Sequence, residues 1–464
     1  MARAVQDVLE HDGTLLIEAG TGTGKTWAYL TPAILSGRRV VVSTGTRALQ
    51  DQIMEKDLPA LERHLGLDVE AACVKGLGNY LCLRRFHEFA RSADATKSRF
   101  ARVLPLLRDW VESTASGDRA ELSTIAEEHP VWGRVVSGSD TRIGARCEYY
   151  DDCFVPRTRR QAESAQLIVV NHHLFFADLA LRETGFASVI PDYDAVVFDE
   201  AHQLEDTATM FFGSRLSTAM LERLVRDARL VLRADSESER HETRILDAVL
   251  QRTSNFFSAL PAGDNGGRAP LPPESIPEEE LFALDNVLSE LSAACRNVRP
   301  PREPVLQIAR RADQLREALG SLESPGQVSW ALGFGSGRSP SVGSSPIDVG
   351  PILRERLHER VPCLVFTSAT LTTGGDFKFL RQRLGIEAEV SEELAESPCR
   401  YEEQAALYAP PHMPDPRASD FIEAAAKEIL ALIEMSKGGA FVLCTSKRMM
   451  RLLAERVGKE LEYE

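Results

Sequence analysis

The sequence predicts an α/β fold, a parallel sheet flanked by helices, and three observations predict it. Strand-length apolar runs recur, "TLLIEA", "RRVVVST", "DAVVFD" and "PCLVFTS", each passing into a small, acidic or hydroxyl-rich loop and then into helical periodicity. Alternation of that kind specifies parallel strands joined by helical crossovers. The first of these loops, at 19–26, reads "AGTGTGKT", and the strand at 194–199 ends in carboxylates. Chemistry at strand ends is what open parallel sheets support.

The loop at 19–26 is built to hold phosphates. Gly20, Gly22 and Gly24 let backbone N–H groups converge on phosphate oxygens, with Ala19, Thr21 and Thr23 completing the turn. Lys25 would reach the β and γ phosphates, the Thr26 hydroxyl would ligate Mg²⁺, and the helix that opens there adds its positive end. ATP with Mg²⁺ is therefore the expected ligand. Asp199 is expected to hold the same Mg²⁺ through water, Glu200 to orient or deprotonate the attacking water, and His202 to sense the γ-phosphate. At 43–46 and 368–370 the chain reads "STGT" and "SAT". Hydroxyls at strand ends suit contact with phosphates, of a nucleotide or of a nucleic-acid backbone, so Thr44 and Thr46 are candidate DNA contacts. The same residue types also cap helices.

Composition bounds the class. At 464 residues the chain exceeds one core and should hold about two to four domains. Its content is 43% hydrophobic, and no apolar run approaches the ~20 residues of a membrane helix. The first residues lack the pattern of a signal peptide, so the expected compartment is the cytoplasm. Eight cysteines in a reducing compartment are core residues, metal ligands or reactive thiols. A net charge of −15 argues against a uniformly basic nucleic-acid binder, and it allows a local basic groove.

In order, "EAGTGTGKT", "VSTGTRALQDQ", "VVNHHLFFADL", "DEAH" and "TSATLT" resemble the iron–sulfur superfamily 2 DNA helicases of the DinG and XPD group. The resemblance runs essentially end to end, through "SPIDVG", "SPCRYEEQAALYAP" and "GGAFVLCTSKRMM". It implies a RecA-like P-loop helicase motor domain, an inserted iron–sulfur domain, a helical arch and a second RecA-like domain. It further implies ATP-driven 5′-to-3′ unwinding in replication and repair, single-stranded and forked DNA as substrate, and a replication protein as partner. Ser368, Ala369 and Thr370 would couple hydrolysis to movement.

The family also implies a [4Fe–4S] cluster held by four cysteines. "KGLGNYLC" supplies Cys82, and Cys147 and Cys153 supply two more; the fourth family position is Arg142. From the donors alone, three thiolates suit Zn²⁺ as well as iron–sulfur. Around them stand Arg84, Arg157, Arg159, Arg160 and Tyr149, guanidinium groups for phosphates and an aromatic face for bases. The alternative is a solvated arginine face. Cys73, in "VEAACV", reads as a packed residue of a motor strand.

The expected organisation places motor domain 1 at 1–74, 166–205 and 361–395, the cluster domain at 75–165, a helical arch at 206–360 and motor domain 2 at 396–464. The run at 333–346 reads as a surface loop, and "AFVLCT", 440–445, as a strand. Motor domain 2 is expected to lack the arginine-bearing segments that act on the γ-phosphate. The expectation is therefore a piece of such a helicase that binds ATP·Mg²⁺ and DNA without separating strands. Its alternative is a non-catalytic remnant that binds DNA or a partner.

Overall fold

The computed structural model describes residues 1–461 apart from 93–94, 96, 139–140, 184–187, 233–238, 262–267, 334–338 and 388. In chain order its strands are β1 (Gly13–Ala19), β2 (Val40–Thr44), β3 (Ala71–Cys73), β4 (Leu167–Asn171), β5 (Ala195–Asp199), β6 (Ser214–Ser217), β7 (Arg268–Pro270), β8 (Gln327–Leu332), β9 (Ser341–Pro346), β10 (Cys363–Ser368) and β11 (Val390–Ala395). Seven of them form one parallel sheet in the order β11-β1-β10-β5-β2-β4-β3. Nearly continuous Val, Ile and Leu runs explain why β2, β4, β5 and β10 lie inside it, covered on both faces. Alternate residues feed opposite layers: Leu15, Val42, Val169, Val197 and Val365 enter one core, and Leu16, Val41, Ile168, Val196 and Phe366 the other.

The register lines up the carboxyl ends. Glu18 pairs with Ser368, Thr367 with Asp199, and Thr44 with Asn171, so the loops at 19–26, 43–46, 199–202 and 368–370 emerge along one edge. Cys73 lies on the edge strand β3, where burial pushes its thiol up to about 12.

Two insertions interrupt the sheet. Between β3 and β4 lies a small helical domain with its own core, including Tyr80, Phe86, Phe100, Trp110, Trp132 and Phe154. Between β5 and β10 lies a larger one, with helices Thr218–Leu232, Glu239–Ala259, Glu278–Asn297 and Glu303–Gly320 around an aliphatic core. The second insertion is not purely helical, as the helical periodicity suggested. It also contains a four-stranded antiparallel sheet, β6-β9-β8-β7. The expected surface loop at 333–346 is in its second half the buried strand β9, and residues 334–338 lie outside the described ones.

Residues Cys399–Glu464 form a separate compact unit. In it, helices Phe421–Ser436 and Lys447–Val457 pack through Ala426, Ile433, Leu453 and Val457. The strand expected at 440–445 is absent: this stretch finds no neighbouring strand among the described residues, and Phe441 and Leu443 are 97% and 95% exposed.

Candidate nucleotide site and its surroundings

The phosphate loop leaves β1 at Ala19 and enters the helix Lys25–Leu35. Gly22 and Gly24 have φ of 83° and 75°, the left-handed region that glycine occupies without strain. Their N–H groups make no hydrogen bond among the described residues, which leaves them for an anion. Thr23 instead closes the turn on itself, its hydroxyl donating to the Gly20 carbonyl at 2.8 Å. The Ser397 hydroxyl donates to the Thr21 carbonyl at 3.2 Å, so the chain after β11 runs beside this loop.

Opposite stand the β5 carboxylates. Lys25 Nζ lies 3.6 Å from Glu200 Oε1, and Glu200 Oε2 accepts from the Ser368 hydroxyl at 3.2 Å. His202 Nδ1 is 2.8 Å from Ser368 Oγ and 3.3 Å from Glu200 Oε2. Lys25, Glu200, His202 and Ser368 thus meet at one point, although they come from three strand ends far apart in sequence. Ala369 and Thr370 follow at the rim, the second exposed. Glu200 has φ 57° and ψ 42°, a left-handed backbone at a residue with a long side chain. Strain of that kind costs roughly 1–3 kcal/mol and persists where the surroundings impose it.

Asp199 is 5% exposed. Burial, with the Glu200 charge adding to it, raises its carboxyl from the usual 3.8 to about 6, against the pull of Lys25 and of the Tyr29 hydroxyl, which donates to it at 3.2 Å. Buried, and sharing Tyr29 as a neighbour with Thr26, this carboxylate has the chemistry to hold a divalent cation. ATP and Mg²⁺ therefore fit the donors present.

Three contributors escaped the sequence reading. Tyr29 is one, fully buried behind Asp199. Glu18 is another: its carboxylate accepts the Leu371 and Thr372 N–H groups, each at 2.6 Å, and the Thr372 hydroxyl at 3.0 Å, anchoring the loop that carries Ser368. These bonds hold its carboxyl below the ordinary value although burial, the largest influence, opposes them. Gln203 is the third. A Cβ on Gly45 would sit 2.6 Å from its Oε1, so the 43–46 loop and the DEAH turn are in close contact. Neither a lone Tyr in a helix nor a Glu in a strand carries a signal of its own.

The candidate DNA contacts fare differently. Thr44 is fully buried and its hydroxyl donates to the Thr46 carbonyl, which corrects its reading as a DNA contact. Thr46 is exposed and caps the helix Arg47–Gln52 by accepting from the Leu49 N–H. Arg84 bonds Glu88 and the Thr141 carbonyl, Arg157 the Ala115 carbonyl, and Arg160 the Pro156 carbonyl, while Tyr149 stacks on His87 at 5.1 Å. Arg159 is half-buried, with an Nε that finds no hydrogen-bond partner among the described residues. Arg47, in contrast, projects from the 43–46 loop to Asn79 and Glu127 and lines a 500 Å³ cleft with Lys75, Asn79 and Arg119.

Cys82, Cys147 and Cys153 are free, half-buried thiols around a cavity of 40 Å³ that Arg142 also lines. Burial raises the Cys153 thiol, and the Arg142 charge works against that rise. A guanidinium offers a metal no lone pair. Among the described residues no three His, Cys, Asp or Glu side chains converge as a metal site. The residues present therefore do not make the four-thiolate site expected from the resemblance. Anaerobically purified, the chain is expected to carry fewer irons than its Arg142→Cys variant, which should approach about four with matching acid-labile sulfide. Equal iron in both would show that Arg142 is no lesion.

A phosphate loop, an acidic strand end and a hydroxyl strand end meeting on one parallel sheet define a P-loop nucleotide hydrolase of the helicase class. Residues 2–116 match the DEAD/DEAH box helicase family model. The chain is 36% identical to the ATP-dependent DNA helicase YoaA of Haemophilus influenzae over 98% of this chain and 71% of that protein, and 34% identical to YoaA of Escherichia coli over 98% and 72%. It is 29% identical to the ATP-dependent helicase DinG of Mycobacterium tuberculosis over 99% and 72%. The chain belongs to the YoaA and DinG family of ATP-dependent DNA helicases.

Proposed function

We propose that this chain hydrolyses ATP in order to move along single-stranded DNA in the 5′-to-3′ direction, serving DNA repair or replication. The observation that carries the reading is the meeting of Lys25, Glu200, His202 and Ser368. In this reading Lys25 leaves Glu200 for the phosphates when nucleotide enters, and the freed carboxylate turns to the attacking water. Thr26 and Asp199 would hold Mg²⁺, which neutralises charge developing on the phosphates. Ser368, hydrogen-bonded to both His202 and Glu200, would with His202 register the loss of the γ-phosphate and pass it to the loop 369–372.

DNA would run past the exposed Thr46 and the cleft lined by Arg47 and Arg119, while the buried Lys75 stays in its ion pairs. Arg157, Arg160, Arg84 and Tyr149 would serve it only after giving up their present partners, as would Arg47 and Arg119, and the half-buried Arg159 only after moving outward. The [4Fe–4S] cluster implied by the resemblance has no part in this reading, because the fourth family position is Arg142, which offers no thiolate. A replication protein as partner rests on the resemblance alone. ATP hydrolysis measured with and without a single-stranded oligonucleotide tests the proposal: stimulation of at least about tenfold is expected, and an ATPase indifferent to DNA would overturn it.

A further inference from the structure

One buried histidine takes no part in the chemistry above. His172 opens the helix after β4, is 1% exposed, and has its Nδ1 2.7 Å from the Ser43 hydroxyl at the end of β2. Its Nε2 is buried and makes no hydrogen bond of full geometry among the described residues. Leaving such a group unpaired is costly, and an apolar side chain would avoid that cost. The Phe198 ring packs beside the imidazole at 6.2 Å, which sets the histidine against the last residues of β5. Burial drives its pKa to about 3, opposed by hydrogen bonding toward the backbone of Asp199 and Glu200, which sets the ring beside the DEAH turn.

Ser43 immediately precedes the loop that carries Thr46 and Arg47, and Glu200 is the residue held in a left-handed backbone. Resting on the functional reading above, we infer that His172 is a positioning residue: it ties the DNA-facing loop, through Ser43, to the backbone that aims Glu200. The Ser43 bond is made, and the contact of the ring with the Asp199–Glu200 backbone falls short of full hydrogen-bond geometry. When nucleotide draws Lys25 away, the DEAH turn settles onto Nε2, completing the second bond and shifting the 43–46 loop with it. Nucleotide and DNA affinities are thereby linked in both directions.

The test measures the affinity of the 464-residue chain for a fluorescent single-stranded oligonucleotide, with and without ADP·beryllium fluoride and Mg²⁺. The ratio of the two affinities is the coupling factor. The unsubstituted chain should show a factor of roughly 5 or more, and His172→Ala a factor within about twofold of one, while still binding a fluorescent ATP analogue. His172→Asn keeps only the Ser43 side of the link and His172→Gln only the Glu200 side, so neither should restore coupling. Ser43→Ala, which removes a single hydroxyl and spares the ring, should lose coupling as His172→Ala does. Full coupling in folded His172→Ala, or in Ser43→Ala should the histidine variant fail to fold, overturns the inference and leaves the proposed function standing. Absence of any DNA binding by the unsubstituted chain overturns the proposed function, and the inference with it.

Discussion

Asp199→Asn is expected to stabilise the nucleotide-free protein while lowering its Mg²⁺-dependent ATP hydrolysis by about a hundredfold or more. The stabilising half follows from the raised carboxyl pKa. A group that holds its proton more tightly in the folded than in the unfolded chain favours folding at low pH and loses that contribution as pH rises from 3.8 to about 6. At neutral pH the ionised, buried Asp199 therefore costs on the order of 3 kcal/mol, which the amide does not incur. The amide also keeps the existing contacts: its oxygen can still accept from the Glu200 N–H, and its nitrogen can donate to Tyr29. Thermal unfolding near pH 7.5 without metal should show Asn the more stable, with the difference vanishing below about pH 4. A parent chain as stable as the variant at pH 7.5 would mean that the carboxylate is solvated or paired after all. Saturating Mg²⁺·nucleotide should narrow or reverse the gap, because only the carboxylate gains from the cation.

Lys75→Met should open the junction between the motor sheet and the first insertion. Lys75 is 6% exposed and lies 2.6 Å from both Asp51, on the motor side, and Asp118, in the inserted domain. Burial, the largest influence, pushes its pKa down, but the hydrogen bonds to Asp118 and Asp51 outweigh it and raise the ammonium above its ordinary value. A group raised on folding contributes in full below its unfolded pKa, so this staple acts throughout the neutral range. Removing the cation leaves two facing carboxylates, one of them 15% exposed, at a cost of about 3–5 kcal/mol. Hydrogen exchange should rise around 77–82 and 114–121, where the Leu81 N–H donates to the Gly117 carbonyl. Adding Asp118→Asn to the variant should recover part of the loss. Unchanged exchange in Lys75→Met would show that the apolar contacts hold the junction alone.

The central strands were legible because burial on both faces demands unbroken β-branched and aliphatic runs, which "VVV", "LIVV" and "AVVF" supply. The antiparallel sheet of the second insertion was not. β9 reads "SVGSSP", small and polar, because close approach and not hydrophobic bulk decides its residues: a Cβ on Gly343 would run into the Ser214 carbonyl and the Trp330 ring. In the nucleotide site the phosphate loop and the DEAH residues carried their chemistry in local spacing. Tyr29, Glu18 and His172 act on partners 129 to 354 residues away, and that pairing exists only once the sheet has formed. The arginines near Cys82 show a related limit: a guanidinium pattern says nothing of carbonyls that fold back to meet it, as the Thr141 carbonyl does for Arg84.

The strand order bears on how this protein is made. β1 emerges from the ribosome first among the strands, yet both its neighbours, β10 and β11, begin at Cys363 and Val390. At roughly 5–20 residues per second, "TLLIEA" waits on the order of 20–70 s with both edges unpaired. The two insertions, each with a core of its own, can complete themselves in that interval. Nascent β1 and the phosphate loop behind it are thus the stretch most in need of a chaperone, and the loop can take its nucleotide-binding shape only when the last strands of the sheet arrive.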